Sequence, residues 1–140
     1  EPILDSKGFV IHYYRPDGIY DNWNLWLWVN GFEGQGFEFN NAIDENGVSF
    51  KVDWSDFAFS YHFGFELGFL VRKGEWELKD VEEDRFIDFS YHSPNSDGYM
   101  DFYLISKEHE YYVEPQAPKL DNFDKFNESF NLLISSRIFA

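Results

Sequence analysis

From Asn24 the side chains alternate strictly. Leu25, Leu27 and Val29 fall on one side, and Asn24, Trp26 and Trp28 on the other. That is the period of a strand, in which successive side chains point to opposite faces. The run Phe9-Val10-Ile11-His12-Tyr13-Tyr14-Arg15, opened by Lys7-Gly8 and stopped by the turn signal Pro16-Asp17-Gly18, predicts a strand before it. After it come a glycine-rich loop at Gly31, Gly34 and Gly36 and a short alternating strand over Phe37–Phe39. Asp44-Glu45-Asn46-Gly47 reads as a turn, with an alternating strand from Val48 to Trp54 behind it.

Phe57, Phe59, Tyr61 and Phe63 alternate within Ser55–Gly64, which fits a strand extension or an aromatic-capped loop. Phe65–Arg72 predicts a strand with a continuous apolar centre at Phe69, Leu70 and Val71. The stretch Trp76–Arg85 is polar and reads as surface, and Phe86–Phe89 resumes a strand. Ser93–Gly98 is rich in turn residues, and Tyr99–Ile105 and Glu110–Val113 predict the last two strands. Glu114–Lys119 reads as an extended linker. Beyond it Phe123, Phe126 and Phe130 have near-helical spacing, and Phe130–Phe139 could form a strand. About eight short strands, each ended by Gly, Pro, Asn or Asp, predict an all-β, antiparallel sandwich or barrel.

Composition agrees. The 17 Phe and 9 Tyr favour sheet over helix, and 140 residues are the size of one domain. The net charge of -15 leaves no basic footprint for nucleic acid or anionic lipid, so neither is expected as a partner. Without cysteine there is no disulfide scaffold, thiol nucleophile or cysteine-ligated zinc. No apolar run reaches transmembrane length. The start at Glu1 and the stop within an apolar run at Phe139-Ala140 suggest a piece of a longer polypeptide.

The candidate chemistry centres on the strand with the indoles. Trp26 and Trp28 lie about 7 Å apart along it, from a rise of roughly 3.3 Å per residue. Two flat rings on an outer sheet face can stack on the apolar faces of sugar rings. Trp is also commonly buried, so plain core packing explains the same pattern. Both readings stand on this stretch alone. In the polar stretch, Lys79 sits beside Asp80 and ahead of Glu82-Glu83-Asp84. Such a cluster is either a solvated ion-pair network or an ammonium and a carboxylate aimed at vicinal hydroxyls. His12, His62, His92 and His109 show no metal spacing and stand beside no nucleophile signature, and the glycines have the wrong spacing for a dinucleotide fingerprint. Asp53, Asp56, Asp80 and Glu83 could supply a carboxylate pair, but a small sandwich has no evident cleft for glycoside hydrolysis. No EF-hand pattern is present, so no metal site or cofactor is expected, and a loop calcium would be structural.

Four segments together resemble family 41 of the carbohydrate-binding modules, the small domains near the N-terminus of bacterial pullulanases. They are Val10–Gly18, Tyr20–Trp28, Gly68-Phe69-Leu70-Val71-Arg72, and Trp76 with Lys79-Asp80 and Asp84-Arg85-Phe86-Ile87. The resemblance spans about Phe9 to Pro115. It implies an immunoglobulin-like antiparallel β-sandwich over residues 9–115, with a lead-in at 1–8. Residues 116–140 would be linker and the start of a following domain, which Ile134-Ser135-Ser136-Arg137 resembles. It implies no catalysis and binding of α-1,4-linked glucans such as starch, glycogen, pullulan and maltooligosaccharides. The ligand residues it implies are Trp26 and Trp28 stacking on consecutive glucose rings and Lys79 and Asp84 on hydroxyls, with Trp76 flanking. Trp23 would hold the turn or join the surface. The implied partners are the α-glucan and a covalently linked pullulanase-type catalytic domain, in a secreted or cell-surface bacterial protein. The rival is a structural or protein-interaction sandwich that packs on a neighbouring domain. Two segments depart from the family pattern. Trp54–Glu66 and Ser90–Gly98 are longer, and Phe57, Phe59, Tyr61 and Phe63 fit core packing better than an added apolar wall.

Overall fold

The computed structural model describes residues 6–29, 31–57 and 66–116. Among these residues ten strands run in order: β1 (Gly8–Tyr14), β2 (Trp23–Val29), β3 (Gln35–Phe37), β4 (Asn41–Asp44), β5 (Gly47–Asp53), β6 (Leu67–Lys73), β7 (Leu78–Lys79), β8 (Arg85–Ile87), β9 (Tyr99–Ile105) and β10 (Tyr111–Tyr112). Two single 3-10 turns, Trp54–Asp56 and Phe89–Tyr91, are the only helical pieces among the described residues. The first sheet has the order β10-β9-β1-β5-β4. The second has the order β3-β2-β6, with β7 and β8 pairing different ends of β6. This is the expected all-β sandwich of two sheets. One pairing departs from the antiparallel expectation: β1 and β9 run parallel, from Gly8 opposite Tyr99 to Tyr14 opposite Ile105.

The alternation decides what lies inside. Phe9, Ile11 and Tyr13 of β1 and Met100, Phe102 and Leu104 of β9 point inward from the first sheet. Leu25 and Leu27 of β2, and Leu67, Phe69 and Val71 of β6, meet them from the second. Rings join the layers: Tyr13 packs on Trp23 with centroids 6.3 Å apart, and Phe69 on Tyr111 at 6.0 Å. Each fully buried large side chain contributes roughly 1.5–3 kcal/mol. Trp23 is therefore a core residue, and Arg15 lies 4.3 Å over its ring. Phe57 is likewise in the core, as expected. Phe59, Tyr61 and Phe63, and the segment after Gln116, lie outside the described residues.

The polar stretch 76–85 is less superficial than its composition predicts. Asp80 is buried and accepts from Ser106 Oγ (2.6 Å) and the Lys107 backbone N–H (2.9 Å), with Arg15 Nη1 at 3.5 Å. Val81 and Arg85 are buried as well. The Arg85 guanidinium lies 4.7 Å over Phe69, and its Nη1 donates to the carbonyl oxygens of Glu108 (3.0 Å) and His109 (3.3 Å). Burial pushes its pKa below the ordinary arginine value. Its Nε and Nη2 have no partner among the described residues. These charged residues are interior because donors meet the Asp80 carboxylate and backbone carbonyls meet the Arg85 guanidinium.

Candidate functional site

The outer face of the second sheet gathers the site. Residues opposite each other in a sheet share a face. Asn24 pairs Arg72, Trp26 pairs both Leu70 and Gly36, Trp28 pairs Gly68, Gly68 pairs Phe86, and Arg72 pairs Lys79. All therefore lie on the side away from the core. Trp26 and Trp28 are half-buried, while Trp76 and Phe86 are 43% and 36% exposed. Leu70 faces the same way yet is only 3% exposed, so the aromatic face has a closed apolar floor.

Two glycines set the direction of the indoles, and a third makes room for Arg72. A Cβ at Gly34 would overlap the indole of Trp26, so that ring leans across β3. A Cβ at Gly68 would overlap the indole of Trp28, so that ring leans the other way, across β6. A Cβ at Gly36 would come 2.7 Å from Arg72 Nη2. The two indoles thus splay to opposite sides of β2, and each meets a further ring there. Trp26 packs on Trp76 with centroids 5.0 Å apart and planes 64° apart. Trp28 packs edge-to-face on Phe86 at 5.7 Å and 82°.

Arg72 binds the first pair together. Its guanidinium carbon lies 4.7 Å from the Trp26 ring centre and 4.8 Å from that of Trp76. Its Nε donates to Asn24 Oδ1 (2.8 Å), and Asn24 Nδ2 donates to the Gly74 carbonyl (3.1 Å). Trp76 reaches this place from a left-handed backbone (φ 77°) in the tight turn between β6 and β7. The turn is fixed by Glu77 N–H to the Lys73 carbonyl (2.9 Å) and by Gly74 N–H to the Asn22 carbonyl (2.7 Å). Such a conformation costs a non-glycine residue roughly 1–2 kcal/mol and is held only where the surroundings enforce it.

Lys79 and Asp84 complete the expected set. Register places Lys79 beside Arg72 on this face. Asp84 is exposed just before β8, and continued alternation puts it on the Phe86 side. Neither side chain makes a hydrogen bond or ion pair with another described residue, so both stay available to a ligand. Sequence reading picked out Trp26, Trp28, Trp76, Lys79 and Asp84, and the fold brings them to one side of one sheet. It missed the roles of Arg72, Phe86 and the three glycines. The parity of Arg72 within Gly68–Arg72 was the available signal for the first.

The face offers ring surfaces with donors and acceptors at their margin. Among the described residues no group of three or more His, Asp or Glu side chains could hold a metal ion. Two imidazoles are hydrogen-bonded within the fold: His12 Nε2 lies 3.0 Å from Asp101 Oδ1, and His92 Nε2 lies 3.0 Å from the Tyr111 hydroxyl.

Residues 7–113 match the family described as the bacterial pullanase-associated domain. Among solved structures, a multi-modular glycogen-degrading pneumococcal virulence factor, in a product complex, is 23% identical with a TM-score of 0.55, over 84% of this chain and 11% of that one. A structure on alpha-glucan recognition by family 41 carbohydrate-binding modules from streptococcal virulence factors is 18% identical with a TM-score of 0.55, over 84% and 51% of the two chains. A third, on alpha-glucan binding by a streptococcal virulence factor, is 21% identical with a TM-score of 0.53, again over 84% and 51%. At these identities the likeness is one of fold. The chain spans about half the length of two of these structures and about a tenth of the other.

Proposed function

Because the chain belongs to the bacterial pullanase-associated domain family, we propose that its aromatic face binds α-1,4-linked glucans and keeps an attached glycoside hydrolase near its polysaccharide. One observation carries this reading. The outer sheet face presents paired aromatic rings, aimed by glycines and braced by Arg72, beside an unpartnered ammonium and an unpartnered carboxylate. Ring faces take up the apolar sides of glucose residues, and Lys79 and Asp84 donate to and accept from the hydroxyls. The two streptococcal structures concern alpha-glucan, which points to the same ligand class. The mechanism is localisation: reversible binding raises the effective concentration of a tethered enzyme at its substrate. The reading carries with it a secreted or surface-attached protein, the setting in which starch and pullulan are met as substrates.

The test is a titration with maltotetraose and with cellotetraose, followed by tryptophan emission and by heat. Maltotetraose should saturate, and cellotetraose should be silent. Trp26→Ala and Trp28→Ala should each remove about 1–3 kcal/mol of binding, by analogy with base stacking on aromatic rings, with the thermal midpoint little changed. Lys79→Ala and Asp84→Ala should each weaken binding about tenfold, the worth of one hydrogen bond to a charged group. No saturable signal at millimolar maltotetraose would reject glucan binding and leave the face as a docking surface for a neighbouring domain.

A further inference from the structure

The aromatic face does not end at the rim of its sheet. Asp84 and Phe86 also line a cleft of about 760 Å³ between β8, at the edge of the second sheet, and β10, at the edge of the first. The far wall carries His109, Glu110, Tyr112 and Val113. That volume lies within the roughly 300–1,000 Å³ of ordinary small-molecule sites. The cleft is rigidly built. Arg85 Nη1 ties β8 to the carbonyls of Glu108 and His109, His92 Nε2 meets the Tyr111 hydroxyl, and Tyr112 donates to Glu108 Oε1 (2.6 Å).

We propose that this cleft is a further glucosyl subsite, which takes the sugar residues that run past Trp28 and makes the module sense chain length. The inference rests on the glucan-binding reading and extends it. Continuity supports it first. Trp28 packs edge-to-face on Phe86, so a chain leaving the Trp28 ring crosses Phe86 and arrives at the cleft mouth. The lining supports it second. Two carboxylates, two imidazoles, two phenols and an aliphatic side chain bind hydroxyls and sugar C–H faces, and the Arg85 guanidinium, with Nε and Nη2 unpartnered among the described residues, adds donors between the carboxylates of Asp84 and Glu110. Shape supports it third. The path turns from an outer sheet face around a sheet edge, which a curved α-linked chain can follow and a straight chain cannot.

Calorimetric titration with maltotriose and maltoheptaose tests this on the whole chain. A three-ring site alone would favour maltoheptaose by about fivefold, because seven rings offer about five registers to it. With the cleft engaged, the preference should be about fiftyfold. His109→Ala/Glu110→Ala alters two exposed side chains, and Val113→Trp fills the cleft mouth. Both variants should bring the ratio down to about fivefold while maltotriose affinity stays within about twofold. A fivefold ratio in the unaltered protein, or a fiftyfold ratio that survives both variants, overturns the subsite but not the face. Failure of maltotriose to bind at all overturns the glucan reading, and the subsite with it.

Discussion

Trp76 sits in the left-handed backbone region, which disfavours bulky side chains, yet it holds a large ring against Trp26 and Arg72. Local strain of this kind is kept where position matters more than stability. Replacing it separates the two. Trp76→Gly should be about 1 kcal/mol more stable than Trp76→Ala, because only glycine is at ease at this φ. Both should bind glucan more weakly than the unaltered protein. Denaturant titration of the pair checks the first claim, and equal stability would mean the turn relaxes without strain. Gly68 gives the converse case. Its Cβ would stand where the Trp28 indole lies, so Gly68→Ala must turn that half-buried ring away from β6 and from Phe86. The expected result is a small stability change, of about 1 kcal/mol, with a shifted tryptophan emission and a loss of affinity close to that of Trp28→Ala. The parity of Trp26 and Trp28 was visible in the sequence. Where their rings point was not, because Gly34 in the loop before β3 and Gly68 on β6 decide it.

At the scale of strands, legibility followed burial. β9 was read at Tyr99–Ile105 to the residue, and β1, β2, β5 and β6 to within two residues at either end, since each has a face to bury. β4 was missed. All four of its residues are exposed, and an edge strand with no buried face leaves no alternation to read. β3 was placed two residues late, because Gly36 marks no face and both Phe37 and Phe39 pack on the core. The Asn46-Gly47 step was legible as a turn and now joins β4 to β5. There Gly47 adopts φ 95°, and a Cβ would overlap the Tyr13 carbonyl. Gly47→Ala should cost about 2 kcal/mol by denaturant unfolding. Its affinity for glucan should be unchanged, because this turn lies at the β4 edge of the first sheet, away from the aromatic face and from the β10 edge that borders the cleft. A matching loss of affinity would show the two sheets to be coupled.

For the whole molecule, acid should reveal the buried polar groups. Burial holds the His92 imidazole below its ordinary pKa, only partly countered by Asp88. The unfolded chain then takes up the proton first, so stability is full above about pH 6.5 and falls as pH drops toward the folded value. Asp17 and Asp88 are held low by hydrogen bonds, from Arg15 and from Ser90 respectively. For Asp101 burial is the largest influence and raises the pKa, but hydrogen bonds from His12 and Asn95 outweigh it. Their contribution is present above about pH 4 and is lost below it. Acidification also relieves self-repulsion from the net charge of -15, which acts the other way. Thermal midpoints from pH 7.5 to 5 for the unaltered protein and His92→Gln isolate the histidine, because both share the charge effect. The unaltered protein should lose stability relative to the variant across that range, and parallel curves would refute the assignment. The parallel pairing of β1 with β9 matters before the molecule is complete. During synthesis β1 emerges about ninety residues ahead of the strand that closes its second edge. At roughly 5–20 residues per second, that edge and its row of Phe9, Ile11 and Tyr13 wait roughly 5–20 s on the ribosome. β1 is made well before the strand that secures it, so the nascent chain is most open to wrong pairings in that interval.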